Sequence, residues 1–227
     1  MDQISSSLYE TIISYELKDL SVDIAEVFTD EFLEEGIIKE LPIIKTIHSI
    51  YKTGISIKDK LFIKKLLYFL KEFKNVDLKK RTELINKIDH SETYKTKVGE
   101  KLLLIIDRVD EYEKAEIIGK LFKAFLNEIL DYDLFIRCSK IVENVVPDDL
   151  KSFIKVDVEK YELVDISDYI SWGVLEFKPF NLEIIQRQNY DYREDQEKWY
   201  ELNDAKIECE LSFIGKKLKE ALKSDYT

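Results

Sequence analysis

Two histidines, two cysteines, six glycines and three prolines are all that 227 residues hold of the types that announce metal chemistry, redox chemistry or tight turns. Neither His48 nor His90 stands in an HExxH motif or near the other, so a zinc centre would need carboxylate and thiolate ligands almost alone. Both histidines read as ordinary structural or surface residues. Cys138 and Cys209 form no CxxC and no Cys–His pair, which reads as two buried thiols of a reducing compartment. The glycines lie too far apart to cradle a phosphate, and no G-x-S-x-G elbow is present. Scarce glycine and proline, against usual levels of about 7% and 5%, exclude a fold of many short strands and favour long helices. No basic-then-apolar leader opens the chain, and no uncharged run approaches the ~20 residues of a spanning helix. The expectation is a cytoplasmic protein with no catalytic residue, cofactor or metal.

What is present is charge and apolar bulk, at 36% and 45% of residues, which suits a packed globular chain. The charge is unevenly placed. Residues 1–40 carry 11 acids and 2 bases, whereas residues 41–81 carry 11 bases and 3 acids. Within a chain of net charge −11, this basic block calls for an explanation. The simplest is intramolecular: the acidic first 40 residues pack against it.

Apolar periodicity lays out the helices. Leu8, Ile12, Ile13, Leu17 and Leu20 predict a helix over 5–19, and Val22, Ala25, Phe28 and Phe32 a second one ending at Gly36. Pro42 suits the first turn of a helix carrying Ile43, Ile44, Ile47, Ile50 and Tyr51. Ser56 opens another, with Leu61, Phe62, Leu66, Phe69, Leu70 and Phe73 inward and Lys58, Lys60, Lys64, Lys65 and Lys71 outward. A short helix over Leu78–Ile88 precedes a helical hairpin turning near Asp110–Glu111. Gly99 and Gly119 fall at similar depth on its two arms, suggesting close backbone approach where the arms cross. A helix over Tyr132–Val145 stops before Pro147.

Beyond residue 150 the pattern changes. A helix near Val164–Trp172 runs into Gly173. Val174–Phe177 and Asn181–Ile185 look extended, and a polar interval over 187–198 separates them from Ala205–Leu211, which alternates like a half-buried strand. A closing helix starts at Ser212. This order resembles the end of winged-helix domains, and ELSFIGKKLKEAL is similar to their recurrent wing-to-helix junction through Leu211, Ser212, Gly215 and Leu218. The expected fold is mainly α: a multi-helix domain over 1–150, then a small α+β winged-helix-like module over 151–227.

The carboxylate pairs (Asp30-Glu31, Glu34-Glu35, Asp110-Glu111, Asp148-Asp149) lack calcium-loop spacing and read as solvated faces. For a winged helix used on DNA, the recognition segment Val164–Trp172 is wrongly charged, with two aspartates and no base. Nucleic-acid affinity needs cations, so a protein-binding use is the better fit. Tyr190, Tyr192, Trp199 and Tyr200 supply aromatic contact candidates there. The sharpest feature is LPIIKTIHSIYKTGISIKDKLFIKKLLYFL, in which nearly every residue is apolar or basic. It reads either as a core helical hairpin exposing its lysines, or as an interfacial segment laid on anionic lipid at the inner membrane face. Lys45, Lys52, Lys58, Lys60, Lys64, Lys65 and Lys71 are its candidate interaction residues.

The same segment, with VGEKLLLIIDRVDEYEKAEIIGKLFKAFL and the Ser-x-x-Gly-Lys-Lys-Leu tail, resembles a group of small proteins from low-GC Gram-positive bacteria. They are carried in variable genome regions and have no assigned activity. The resemblance implies an accessory or effector role in phage defence. The expectation is a non-enzymatic interaction protein whose basic hairpin meets an acidic partner or a membrane surface. The alternative is a DNA-binding regulator acting through Lys216, Lys217 and Lys219.

Overall fold

The computed structural model describes residues 2–20, 36–50, 56–94, 96–155, 167–178, 184–188, 198–202 and 209–226. The chain divides into two compact units, one of residues 1–156 with 217–227 and one of residues 157–216.

The first unit is helical. Helix α1 (Asp2–Ile12) is followed by a 3-10 turn over Glu16–Asp19. The predicted single helix over 5–19 therefore breaks at residues 13–15. The break has a partner: Arg81, from a later helix, donates to the carbonyls of Ile12 and Ser14 at the helix terminus. A second 3-10 turn (Gly36–Glu40) leads into α2 (Pro42–Ile50), which buries Ile43, Ile44 and Ile47. The hydroxyl of Thr11 in α1 donates to Ser7 O and accepts from Ile43 N, 2.9 Å away, satisfying one first-turn donor of α2. The helix predicted after Ser21 and the candidate core residue Tyr51 lie outside the described residues.

Helix α3 (Ile57–Lys71) begins with the predicted Ser56 cap, a capping box completed by Asp59. Then come α4 (Leu78–Asp89), α5 (Val98–Arg108), α6 (Tyr112–Leu126), α7 (Tyr132–Asn144) and α8 (Pro147–Lys155). The most extensive helix contact is α3 against α6. Its centre is aromatic: Phe122 lies 5.5 Å from Phe69, 5.0 Å from Phe73 and 5.4 Å from Phe135, between ring centroids.

The two central glycines do permit close approach, but not to one another. A Cβ on Gly119 would fall 2.5 Å from Phe69 O in α3, and one on Gly99 2.5 Å from Ser5 O in α1. Each arm of the α5–α6 hairpin thus presses its glycine onto a helix from earlier in the chain.

Two residues predicted to face inward on α3 do not. Leu61 is 45% exposed and Phe62 is half-buried. The reason is an offset. Tyr112, at the start of α6, stacks on Tyr68 and accepts the ammonium of Lys64 over its ring. Farther along α6, Glu116 meets Lys71. The two helices run in the same direction, and the first turns of α3 extend beyond the start of α6.

In the second unit, α9 (Ser167–Ser171) leads through Gly173, at φ 73°, to β1 (Leu175–Phe177), which pairs antiparallel with β4 (Cys209–Leu211). Strands β2 (Ile184–Gln188) and β3 (Lys198–Leu202) form a second antiparallel pair. One register serves both pairs: Leu175 faces Leu211, and nine residues onward Ile184 faces Leu202, nine residues back. The polar interval expected at 187–198 is therefore shorter, since β2 enters it at one end and β3 starts at the other. Residues 205–208 of the predicted last strand lie outside the described residues.

The closing helix α10 (Phe213–Tyr226) starts beside this sheet. Ser212 Oγ accepts from Gly215 N (3.1 Å) and donates to Gly173 O (2.7 Å). A Cβ on Gly215 would lie 2.1 Å from Val174 O. The Ser-x-x-Gly spacing thus has a local cause: the serine caps the helix, and the glycine lets its first turn lie against the chain entering β1. Overall the protein is mainly helical, with small antiparallel sheet structure near its C-terminus.

Candidate functional site

The basic block divides by what its cations touch. Lys65 donates to Asp107 O (3.1 Å) and Val109 O (2.9 Å), the end of α5. Arg81, 2% exposed, adds Val76 O (3.0 Å) to its two carbonyls at the end of α1. Lys74 donates to Leu20 O (2.7 Å), just past the first 3-10 turn. Outside the block, Lys114 reaches Glu143 O (3.3 Å) near the end of α7. Helix C-termini leave carbonyls unpaired and carry partial negative charge, commonly relieved by a glycine cap. In this glycine-poor chain, cations from neighbouring helices take that place. Burial lowers the pKa of Lys65 against the pull of Asp107 and Asp110, and burial likewise lowers that of Arg81.

Other predicted site residues are held by side chains. Lys64, expected to point outward, is only 8% exposed, with its ammonium 4.6 Å from the centre of the Tyr112 ring. Its side chain runs along the α3–α6 contact, which is why it does not face solvent. Lys71 pairs with Glu116 at 3.0 Å and lies over Tyr68. Glu116 also accepts from Lys120 at 3.0 Å. Burial raises the Glu116 pKa, but the bonds from Lys120 and Lys71 outweigh it and hold the carboxylate below its usual range. For neighbouring Glu72 burial prevails, and its pKa is raised. Lys45, exposed on α2, pairs with Glu40 at 2.7 Å, the one described ion pair joining the basic block to the acidic first 40 residues.

The surface portion of the block is the start of α3. Ile57 is 78% exposed and Leu61 45%. Lys58 is exposed beside them and Lys60 half-buried. At helical spacing these four residues occupy one side of the first two turns. Lys52, Tyr190 and Tyr192 lie outside the described residues. Trp199 and Tyr200 are placed by backbone only, opposite Arg187 and Gln186 in the β2–β3 ladder. Of the lysines named for duplex binding, Lys217 pairs with Glu220 at 2.7 Å, Lys219 lies over the Phe153 ring at 4.7 Å, and Lys216 is exposed.

Two concavities flank the α4–α5 junction, and periodicity gave no sign of either. One, of about 360 Å³, is lined by Tyr9, Glu10, Asn86, Asp89, His90 and Glu100 among others. Here the Tyr9 hydroxyl donates to Asn86 Oδ1 (2.8 Å), and Asp89 Oδ1 accepts from Val98 N (2.7 Å) at the start of α5. His90 Nδ1 lies 2.8 Å from Asn86 O at the end of α4. These groups close helix ends, and the histidine is exposed, as its sequence context predicts. The other, of about 440 Å³, lies between α4, the segment after it and the α6–α7 turn. Among the described residues no group of His, Cys, Asp and Glu could hold a metal ion, and no helix is long and apolar enough to cross a membrane. Both cysteines are buried thiols, and burial pushes that of Cys138 up to about 12.

Comparison with family models, with curated proteins and with solved structures finds no match to this chain.

Proposed function

We propose that this protein is a non-enzymatic interaction protein that docks an acidic protein partner on the first two turns of α3. The observation that carries this reading is the partition of the basic block. Its interior cations are engaged with helix ends, rings and carboxylates, whereas Lys58 and Lys60 flank two surface apolar side chains, Ile57 and Leu61. A partner offering carboxylates around an apolar centre complements that patch. Burying the two side chains contributes about 1.5–3 kcal/mol each, a modest anchor for a reversible, salt-sensitive contact.

A membrane occupant has less support. The stripe that would enter a bilayer (Ile43, Ile44, Ile47, Ile63, Leu66, Leu67) is already in the core. Duplex DNA has less still, with Lys217 and Lys219 engaged within the chain. Phage defence, the setting implied by the family resemblance, rests on sequence likeness alone.

A photo-crosslinking residue placed at position 61 in living cells tests the proposal, with position 127, exposed on another turn, as control. We expect one specific protein adduct at 61, lost in Lys58→Glu/Lys60→Glu, and no flotation with phosphatidylglycerol vesicles. Equal adducts from both positions would overturn the docking surface. Flotation abolished by the same double variant would replace the protein partner with a membrane.

A further inference from the structure

The 440 Å³ cavity combines three independent features. The first is an orphan polar atom. Tyr132 is 95% buried (5% exposed) and lines the cavity, yet its hydroxyl has no hydrogen-bond partner among the described residues. A buried hydroxyl left unpaired costs about 1–3 kcal/mol, so native structures seldom keep one without cause.

The second is backbone strain at the rim. Glu128, at φ 60°, is the one non-glycine residue with positive φ among those described. It ends α6 in a Schellman motif: Glu128 N donates to Phe125 O (2.9 Å) and Ile129 N to Ala124 O (3.0 Å). Glycine is the usual residue at that position, and a glutamate there costs about 1 kcal/mol. Its carboxylate is largely exposed, with Lys80 4.0 Å away.

The third is the chemistry of the walls. Leu84, Ile88, Phe125 and Leu130 supply an apolar floor, and Glu128 and Asp131 set two carboxylates against the single ammonium of Lys87. The Tyr94 ring stands at 83° to that of Tyr132, with centroids 4.9 Å apart. Tyr94 is half-buried and tied at its hydroxyl to Asp133 (3.1 Å), which makes it the movable wall in front of the orphan phenol. Paired aromatic faces beside carboxylates form the environment that favours an organic cation.

From these features we infer that the cavity between α4 and the α6–α7 turn binds a small organic ammonium ion bearing an apolar or aromatic group. The ammonium donates one N–H to Tyr132 Oη and pairs with Glu128, and its apolar group lies against Leu84, Ile88 and Phe125. This site is separate from the α3 surface and does not depend on it.

Benzylammonium is the probe, with benzyl alcohol and benzoate as neutral and anionic counterparts, in calorimetric titration and amide NMR on the full chain. We expect saturable benzylammonium binding, amide shifts confined to residues 84–94 and 125–132, and neither counterpart binding comparably. Tyr132→Phe keeps the ring and removes only the hydroxyl, while Glu128→Gln removes only the charge. Each should weaken binding about tenfold, equivalent to about 1.4 kcal/mol, with the fold retained by circular dichroism. No saturable binding at millimolar probe, equal binding of benzoate, or unchanged affinity in both variants would overturn the site.

Discussion

Arg81 gathers three carbonyls from two segments onto one buried guanidinium, and a residue so placed acts as a fastener. Replacing it with methionine keeps much of the bulk but strands those carbonyls. We expect Arg81→Met to lower stability by about 2–4 kcal/mol in urea unfolding. Two residues at the cavity should behave in the opposite way. In the ligand-free protein, Tyr132→Phe deletes an unpaired hydroxyl and Glu128→Gly relaxes a left-handed backbone. Each should raise stability by about 1 kcal/mol, read as a higher melting temperature. A loss in either variant would mean that the native residue is stabilising, against the reading of the cavity. The carboxylates of α3 and α6 give a signed pH test. The Glu116 pKa is depressed in the fold, so its contribution is present above the unfolded pKa and fades as pH falls through the folded one. Glu72, its pKa raised by burial, disfavours the fold once ionised. At neutral pH, thermal melts should therefore show Glu116→Gln destabilising and Glu72→Gln stabilising, with both differences shrinking in acid.

At the scale of elements, the α3–α6 contact depends on a missing side chain. Gly119→Ala gains helix propensity but drives a Cβ to 2.5 Å from Phe69 O. The overpacking should prevail, with a net loss of about 1–3 kcal/mol by urea unfolding. That Gly119 needed a close neighbour was legible in the sequence; that the neighbour was α3 was not, because periodicity identifies a face and not what covers it. The same limit runs through the chain. Pro42, the Ser56–Asp59 box and the stop before Pro147 are local devices, and the helices begin or end where those residues place them. The roles of Lys65, Lys74 and Arg81 are set by helix ends 42 to 69 residues away, and such contacts leave no trace in local spacing. Leu61 was misplaced for a related reason: the offset between α3 and α6 decides its exposure, and no pattern within α3 encodes it. Strand β3 was hidden because Lys198, Glu201 and two aromatic residues read as a polar spacer, although their backbone completes a ladder with β2. At the cavity, Glu128 carries no sequence signal, since its only distinction is a φ value normally left to glycine.

Across the whole molecule, the uneven charge distribution is resolved mostly by backbone. The expected pairing of the acidic first 40 residues with the basic block appears among the described side chains only at Glu40–Lys45. Carbonyls at helix ends take Lys65, Lys74 and Arg81, and α6 takes Lys64 and Lys71 through Tyr112 and Glu116. The surface contribution to binding then falls to Lys58 and Lys60, in a molecule whose net charge of −11 repels acidic partners everywhere else. A contact confined to that one patch should weaken steeply with ionic strength. The division between interior and surface cations is the premise beneath both the stability and the docking arguments. It is tested most directly by comparing urea midpoints of three charge-removing variants, Lys58→Met, Lys65→Met and Arg81→Met. The account predicts an unchanged midpoint for Lys58→Met and clear drops for the other two. Equal midpoints for all three would contradict it.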